Sequence, residues 1–325
     1  MSLAAAPDVL VVGAGVAGLT TAICLAETGL TVRVRTDRLP PDTTSAVAGA
    51  IWGPHLVENS ERTARWRRDT LAVLRELAGD PATGVRIASG IDAARTGTAE
   101  PHGPEDWLAE LGGAQRCEPA GLPPGFSSGW RYTAPLAHMP TYLGYLRSRL
   151  ERAGGTLETG TVTSLPDAAR AAGAVVNCTG VHARDLAGDP DLAPVRGQTV
   201  IAANPGLTSF FIGQPGAGHE LVYLFPHGDT VVLGGTQVAG DWHTAPVPEV
   251  ASRILRDCAS VEPRLRDPVV LGHRVGLRPV RPTVRLEAAR DGAGGPLIVH
   301  NYGHGGAGVT LSWGCARAAA ALVTG

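Results

Sequence analysis

Three stretches of this chain hold residues whose chemistry depends on their spacing. The first is Gly13-Ala14-Gly15-Val16-Ala17-Gly18, a G-x-G-x-x-G turn. Gly13 permits the sharp reversal, Gly15 lets backbone approach a pyrophosphate, and Gly18 lets the following helix pack on its strand. That helix turns its free amides and positive end toward the phosphates. Glycine-rich turns are common, so context decides. Here the apolar run Val9–Val12 precedes the turn, small apolar residues at helical spacing fill Ala17–Ala26, and Thr31–Val34 reads as a second strand. Asp37 stands 19 residues after Gly18, where a ribose acceptor is expected. This is a βαβ unit able to hold a dinucleotide, FAD or NAD. Asp37 also has a plainer reading as a loop-capping residue.

The second stretch is His300-Asn301-Tyr302-Gly303-His304-Gly305-Gly306-Ala307-Gly308-Val309-Thr310. A strand, Leu297–His300, runs into a glycine-dense turn and then into a helix, Val309–Val323. Such a helix start suits an electron-rich target, for example the C2 carbonyl of a flavin, where negative charge gathers on reduction. The alternative is a turn for tight packing. The third stretch is Gly276-Leu277-Arg278-Pro279-Val280-Arg281-Pro282-Thr283-Val284-Arg285. If it is extended, Arg278 faces away from Arg281 and Arg285. Arginine matches a carboxylate in a two-point fork, although arginine is also mostly a surface residue. Pro279 and Pro282 remove backbone donors, which predicts a sheet edge or a bulge. Tyr223, in Leu221-Val222-Tyr223-Leu224-Phe225-Pro226, could donate to the same carboxylate. Without further context it reads as a half-buried core tyrosine.

The surrounding elements follow from periodicity. Ser60–Leu77, Thr141–Ala153 and Glu249–Cys258 read as helices; Thr156–Val162 and Ala174–Cys178 read as strands. Thr199–Ala202, Leu221–Phe225 and Thr230–Gly234 form an antiparallel pattern. Residues 79–137, rich in Gly and Pro, predict loops and short strands of a separate substrate region. The expected fold is α/β, a Rossmann-like domain with a second, mainly antiparallel β domain. Residues 1–52, 139–187 and 268–325 would form the first, and 53–138 and 188–267 the second.

Composition narrows the chemistry. The 325 residues contain no lysine, which excludes a lysine Schiff base and so a PLP enzyme. A net charge of −2 gives no bulk reason to expect nucleic acid or a membrane surface. Five scattered cysteines without a C-x-x-C pair predict reduced thiols, and no metal site is expected. The N-terminus has no basic region before its apolar run, and the C-terminus is not Ser-Lys-Leu, so the cytoplasm is the expected location.

The His300–Ala316 segment resembles the signature of the D-amino acid oxidase family. Four more stretches agree in order and spacing: Thr43-Thr44-Ser45 with Val47-Ala48-Gly49, Val176-Asn177-Cys178-Thr179-Gly180, Leu233-Gly234-Gly235-Thr236, and Gly276-Leu277-Arg278-Pro279-Val280-Arg281-Pro282. The resemblance runs from about Val9 to Ala320. It implies non-covalent FAD and oxidation of a D-amino acid by hydride transfer from Cα to flavin N5. The products would be a 2-oxo acid, ammonia and, from O2, hydrogen peroxide. A homodimer is the assembly to look for.

By position, the resemblance assigns FAD contacts to Asp37, Arg38, Thr43, Thr44, Ser45, Gly49 and Ala50. Val162 and Thr179 would surround the adenosine, and Gly305, Gly306, Ala307, Gly308, Val309 and Thr310 would lie at the flavin. It assigns the substrate carboxylate to Arg278 and Tyr223, and the amine to the Gly306 carbonyl. Two positions depart from the family pattern. His219 stands where many members carry a second tyrosine on a mobile lid, and His55 stands where a tyrosine is frequent. Neither the lid run Gly213–Tyr223 nor the position after Thr236 carries an arginine. An acidic substrate would need such a second cation, so neutral or apolar D-amino acids are expected. The rival readings are a D-aspartate oxidase, a glycine- or sarcosine-oxidase-like enzyme, and a non-catalytic flavin-binding protein.

Overall fold

The computed structural model describes residues 6–99, 107–216, 219–290 and 295–325. Strands Thr156–Thr159, Val32–Thr36, Val9–Val12, Ala174–Asn177 and Leu297–His304 lie side by side and pair in parallel. Val9–Val12 and Ala174–Asn177 are buried at every position. A strand covered on both faces is mostly apolar, which is why Val9–Val12 and Ala174–Val176 read as unbroken hydrophobic runs.

Val270–Arg290 then pairs antiparallel with Leu297–His304 on one side and with Ala193–Ala203 on the other. Beyond it the same sheet continues through Thr230–Gly234, Val222–His227, Phe210–Gly213, Val85–Arg95, Phe126–Ala137 and Gln115–Arg116. One sheet path therefore runs from the parallel βαβ part into a mostly antiparallel part.

Helices Val16–Ala26 and Gly308–Thr324 begin at the sheet and pack against one another, with Glu61–Leu77 and Met139–Arg152 alongside. Small residues set the spacing. A methyl on Gly18 would overlap the Gly13 carbonyl, and one on Gly314 would overlap the Trp66 backbone. Glu61–Leu77 is started by a capping box between Ser60 and Thr63. No helix among the described residues is long and apolar enough to cross a membrane.

Three regions differ from expectation. Residues 79–137 hold two long strands, Val85–Arg95 and Phe126–Ala137, rather than short ones in loops. Their glycines disguise them, yet Gly90 is required because the Phe210 ring lies where its side chain would be. Of the two placements expected for the Arg278 stretch, an edge or a bulge, the structure shows the bulge, within an interior strand. Its prolines are accommodated because Pro279 faces Pro194 and the register breaks between Val280 and Arg285. Thr156–Thr159 stops short of Val162, and Leu297–His304 runs four residues past His300.

That extended strand buries its histidines at 5% exposure for His300 and 4% for His304. On a strand, four residues separate them by roughly 13 Å, too far to share one ion. Burial pushes both down to about 4. Below pH 6.5 the unfolded chain protonates each ring while the native state does not. Their stabilising contribution is therefore complete above pH 6.5 and is lost as pH falls toward 4. Each contributes a slope of up to about 1.4 kcal/mol per pH unit. The melting temperature is expected to fall steeply from pH 6.5 to 4.5, and less steeply in His300→Gln. A flat profile across that window would contradict the assignment.

Candidate active site

A cavity of about 670 Å3 runs from the Gly13–Gly18 turn, past residues 43–55, to Tyr223 and Arg278. That volume lies within the usual range for a cofactor site. At one end Gly13, Ala14, Gly15 and Val16 form the wall, with Gly13 at φ +104, a conformation that glycine adopts freely. The N-cap of the helix starting at Val16 is Gly15, which has no side chain to offer its amides. Thr43, Thr44 and Ser45 also line this end, and Ser45 Oγ accepts from Val16 N at 3.0 Å. Asp37 and Arg38 stand exposed at the rim, paired at 3.9 Å. Val162 and Thr179 line the same end, and the Thr179 hydroxyl donates to Asn177 Oδ1 at 2.7 Å.

At the other end the chain passes from His304 through Gly305 and Gly306 into the helix Gly308–Thr324, again without a side-chain cap. Gly305 has φ +55, and a methyl there would overlap the Leu56 carbonyl. Its N–H donates to Pro279 O at 2.8 Å, which fastens this turn beside Arg278. Gly305, Gly306, Gly308, Val309 and Thr310 line the cavity. Two helix N-termini, of which one has its first N–H taken up by Ser45 Oγ, therefore open onto one space lined by hydroxyls, amides and glycines. That donor set suits a cofactor with a diphosphate at one end and an electron-rich ring at the other. The residues present fit FAD.

The Arg278 guanidinium lies over Gly197, where a methyl would come within 2.6 Å of Cζ. It donates to Thr236 O at 3.0 Å. The protein around it desolvates it and lowers its pKa, with Tyr223 acting in the opposite sense. Burial raises the Tyr223 phenol while Arg278 lowers it, so the phenol stays a neutral donor. The Tyr223 ring rests on Gly234 and Gly235 and stacks on Phe225 at 4.7 Å. These contacts explain the Gly-Gly pair opposite Tyr223: any side chain there would displace the ring.

His55 packs on Gly306, whose N–H donates to His55 O at 2.9 Å. Ala50 at φ 58 and Leu56 at φ 51 are left-handed although neither is glycine, so backbone strain brackets the segment that delivers His55. Burial, then the Arg278 charge, pushes His55 down to about 4. It is neutral at pH 7.

Arg281 and Arg285 point elsewhere. Buried Asp189 accepts from Arg281 Nε at 2.9 Å and from the Tyr302 phenol at 2.8 Å, and Arg285 Nη1 lies 3.5 Å away. Burial would raise the Asp189 carboxyl, but the Tyr302 and Arg281 hydrogen bonds hold it below its ordinary value.

Three sequence-predicted positions do not reach the cavity wall. Gly18 is used in helix packing, Ala307 is buried beneath the turn, and His219 is exposed. His219 is a correction. Its backbone bridges to Gly216, which holds the residue outside the pocket. Ala217 and Gly218 of the lid run lie outside the described residues. Sequence reasoning missed Asp92, Trp107, Tyr132, Thr199 and Gln214, all on the wall. Thr199 Oγ1 is buried with no hydrogen-bond partner among the described residues. None of the five belongs to a local motif, and the segments that carry them are far apart in sequence.

The FAD dependent oxidoreductase family model matches residues 8–322. The chain belongs to this family. As an FAD-dependent oxidoreductase it is similar to a Rubrobacter xylanophilus protein named D-amino-acid oxidase, with 50% identity over 314 residues. That match covers 96% of this chain and 94% of the relative. A Streptomyces coelicolor protein of the same name is 44% identical over 322 residues, covering 98% and 97%. Glycine oxidase from Geobacillus kaustophilus has the same fold, with a TM-score of 0.82 at 19% identity over 98% of this chain and 94% of that one.

Proposed function

We propose that this FAD-dependent oxidoreductase oxidises D-amino acids, neutral or apolar ones in preference to acidic ones. Two electrons and two hydrogens leave the Cα–N bond. Water hydrolyses the resulting imino acid to a 2-oxo acid and ammonia, and O2 is reduced to hydrogen peroxide. The observation that carries this reading is Arg278. Its guanidinium is enclosed at the cavity end beside a neutral phenol, and no acid among the described residues pairs with it. A desolvated cation needs an anion, and a planar carboxylate matches its fork.

FAD, when bound, supplies the two-electron acceptor. Gly13–Val16 and Thr43–Ser45 would hold its diphosphate, with Asp37, Arg38, Val162 and Thr179 near the adenosine and Gly49, Ala50 and Gly305–Thr310 toward the ring. Residues 1–52, 139–187 and 268–325 form the cofactor unit in this reading, and 53–138 with 188–267 the substrate unit. Arg278 and Tyr223 fix the carboxylate, and the Gly306 carbonyl accepts from the amine. Three anchored points leave one hand of Cα able to present its hydrogen. His55, with a pKa of about 4, is a poor proton acceptor at neutral pH. The neutral amine needs no side-chain base.

Side-chain preference follows from the charges on the wall. The other arginines lining the cavity, Arg35 and Arg38, lie at the nucleotide end, and His55 carries no charge at pH 7. A second carboxylate therefore finds no cation near Arg278. At pH 8, kcat/KM for D-alanine, D-valine and D-methionine is expected to exceed that for D-aspartate and D-glutamate. The reverse order would overturn the preference. The reaction itself is tested by mixing the yellow protein anaerobically with D-alanine or L-alanine. Only the D-form should bleach it; equal bleaching, or none, rejects the reading.

A further inference from the structure

The segment Ala46–Gly49 is a partition with a cavity on each side. Val47 and Gly49 line the large cavity, Ala46 lines a second one of about 70 Å3, and Ala48 lines both. The polar wall of the small cavity is His138, His227, Arg274 and Thr230, and no carboxylate among the described residues lines it. Arg274 stands four residues before Arg278 on one strand, so both point to the same face. Its Nη1 donates to Ala46 O at 2.9 Å, and no acid among the described residues pairs with it. The His138 and His227 rings lie 5.3 Å apart. Burial, then the Arg274 charge, lowers His138. Burial, then His138 and Arg86, pushes His227 down to about 3, with the Gly49 backbone acting in the opposite sense. Positive charge without a counter-charge therefore gathers on one side of the partition.

We propose that this small cavity binds one monovalent inorganic anion, of the halide or nitrate kind, and that the anion braces the partition against the cofactor. Arg274 supplies the full charge, and it has donors beyond the one given to Ala46. The Thr141 hydroxyl, 2.8 Å from His138 Nδ1, donates to it and leaves the ring proton on Nε2 for the anion. The helix Met139–Arg152 begins at this wall, and the His138 side chain caps none of its amides, so the positive helix end adds to the field. Size selects the ligand. Water occupies roughly 30 Å3 per molecule in the liquid, so the cavity holds an ion of a few atoms and excludes nucleotides and most metabolites. Charge selects it too. A doubly charged oxyanion would lose more hydration against Met139, Ile201 and Val232 than one full cation offsets. His138, His227 and Arg274 are only partly buried, so an ion reaches them from solvent. Because the partition belongs to both cavities, anion and FAD strengthen each other's binding by the same factor.

The test exchanges gluconate, too large for the cavity, for chloride at pH 7 and a fixed ionic strength of about 0.15 M. In the flavin-loaded enzyme the chlorine NMR line should broaden in proportion to protein and narrow again when nitrate is added. The FAD dissociation constant should fall roughly fivefold in chloride, the low end of ordinary coupling between sites. Arg274→Met should lose both responses, whereas Arg274→Lys, which keeps the charge, should retain the line broadening. A wild type indifferent to the exchange overturns the proposal, and so does an Arg274→Met variant that responds as the wild type does. Should Arg274→Met fail to fold, His138→Ala decides, because that side chain caps no helix amide and leaves the Arg274–Ala46 bond in place. It should weaken chloride binding about fivefold, the size of one hydrogen bond, and an unchanged affinity overturns the proposal. Neither measurement uses turnover, so failure here leaves the D-amino acid reading standing.

Discussion

Arg278→Ala is expected to lower kcat/KM for D-alanine by about 10²- to 10⁴-fold, the range for removing one partner of a desolvated, hydrogen-bonded charge pair. The substrate carboxylate would then face the Tyr223 phenol alone, in a pocket where other arginines on the wall belong to the nucleotide end. Arg278→Lys should recover only part of the loss, because an ammonium lacks the planar two-point fork. Arg281→Ala is the informative contrast. Its side chain is 18% exposed and pairs with an Asp189 that is 3% exposed. Losing it leaves a buried carboxylate short of a partner, so the cost should appear in melting temperature, with kcat/KM within a few-fold of wild type. Equal kinetic losses in the two variants would show that the faces of this strand have been assigned wrongly.

Gly15→Val is expected to yield a folded chain without flavin. The first added carbon would lie 3.0 Å from Ser45 Oγ, already tight, and the two methyls beyond it would occupy the space the diphosphate needs. The protein should purify colourless, keep its far-UV circular dichroism, and melt lower because a bound ligand no longer stabilises it. Gly144→Ala is the control. It lies on the exposed side of Met139–Arg152 with open space around it, and it should retain flavin and gain slightly in helix stability. Denaturing the wild type should release FAD; release of FMN, or of no flavin, would refute the cofactor assignment.

Both experiments depend on residues legible in the chain itself, for a local reason. The Gly13–Gly18 turn works through backbone conformation and the absence of side chains over six consecutive residues, so its geometry is written in its own spacing. The helix that follows, and the apolar strands Val9–Val12 and Ala174–Asn177, carry periodicities that survive without tertiary context. Arg278 was legible as a fork on the opposite face from Arg281, because alternation along a strand requires no knowledge of neighbours.

What the chain did not disclose depends on neighbours distant in sequence. The two long strands within 79–137 are interrupted by glycines such as Gly90, whose reason is a Phe210 ring 120 residues away. Two prolines left an edge or a bulge open for the Arg278 strand; its interior position shows only in the pairing, with Pro194 opposite Pro279 and a register break beyond Val280. His55 could be read only as an unusual residue; its neutrality comes from enclosure against Gly306 and the nearby Arg278 charge. His219 stands in sequence where the family resemblance places a lid tyrosine, yet it is exposed and does not line the cavity. Asp92 stands on one strand and Gln214 just beyond the end of another, and the two meet only when parallel pairing sets Asp92 beside Ile212. Local spacing by itself determined the Gly13–Gly18 turn and the face of the strand on which Arg278 stands. Strand pairing decided the shape and charge of the space between them, because a wall is a relation among strands and no single segment encodes it.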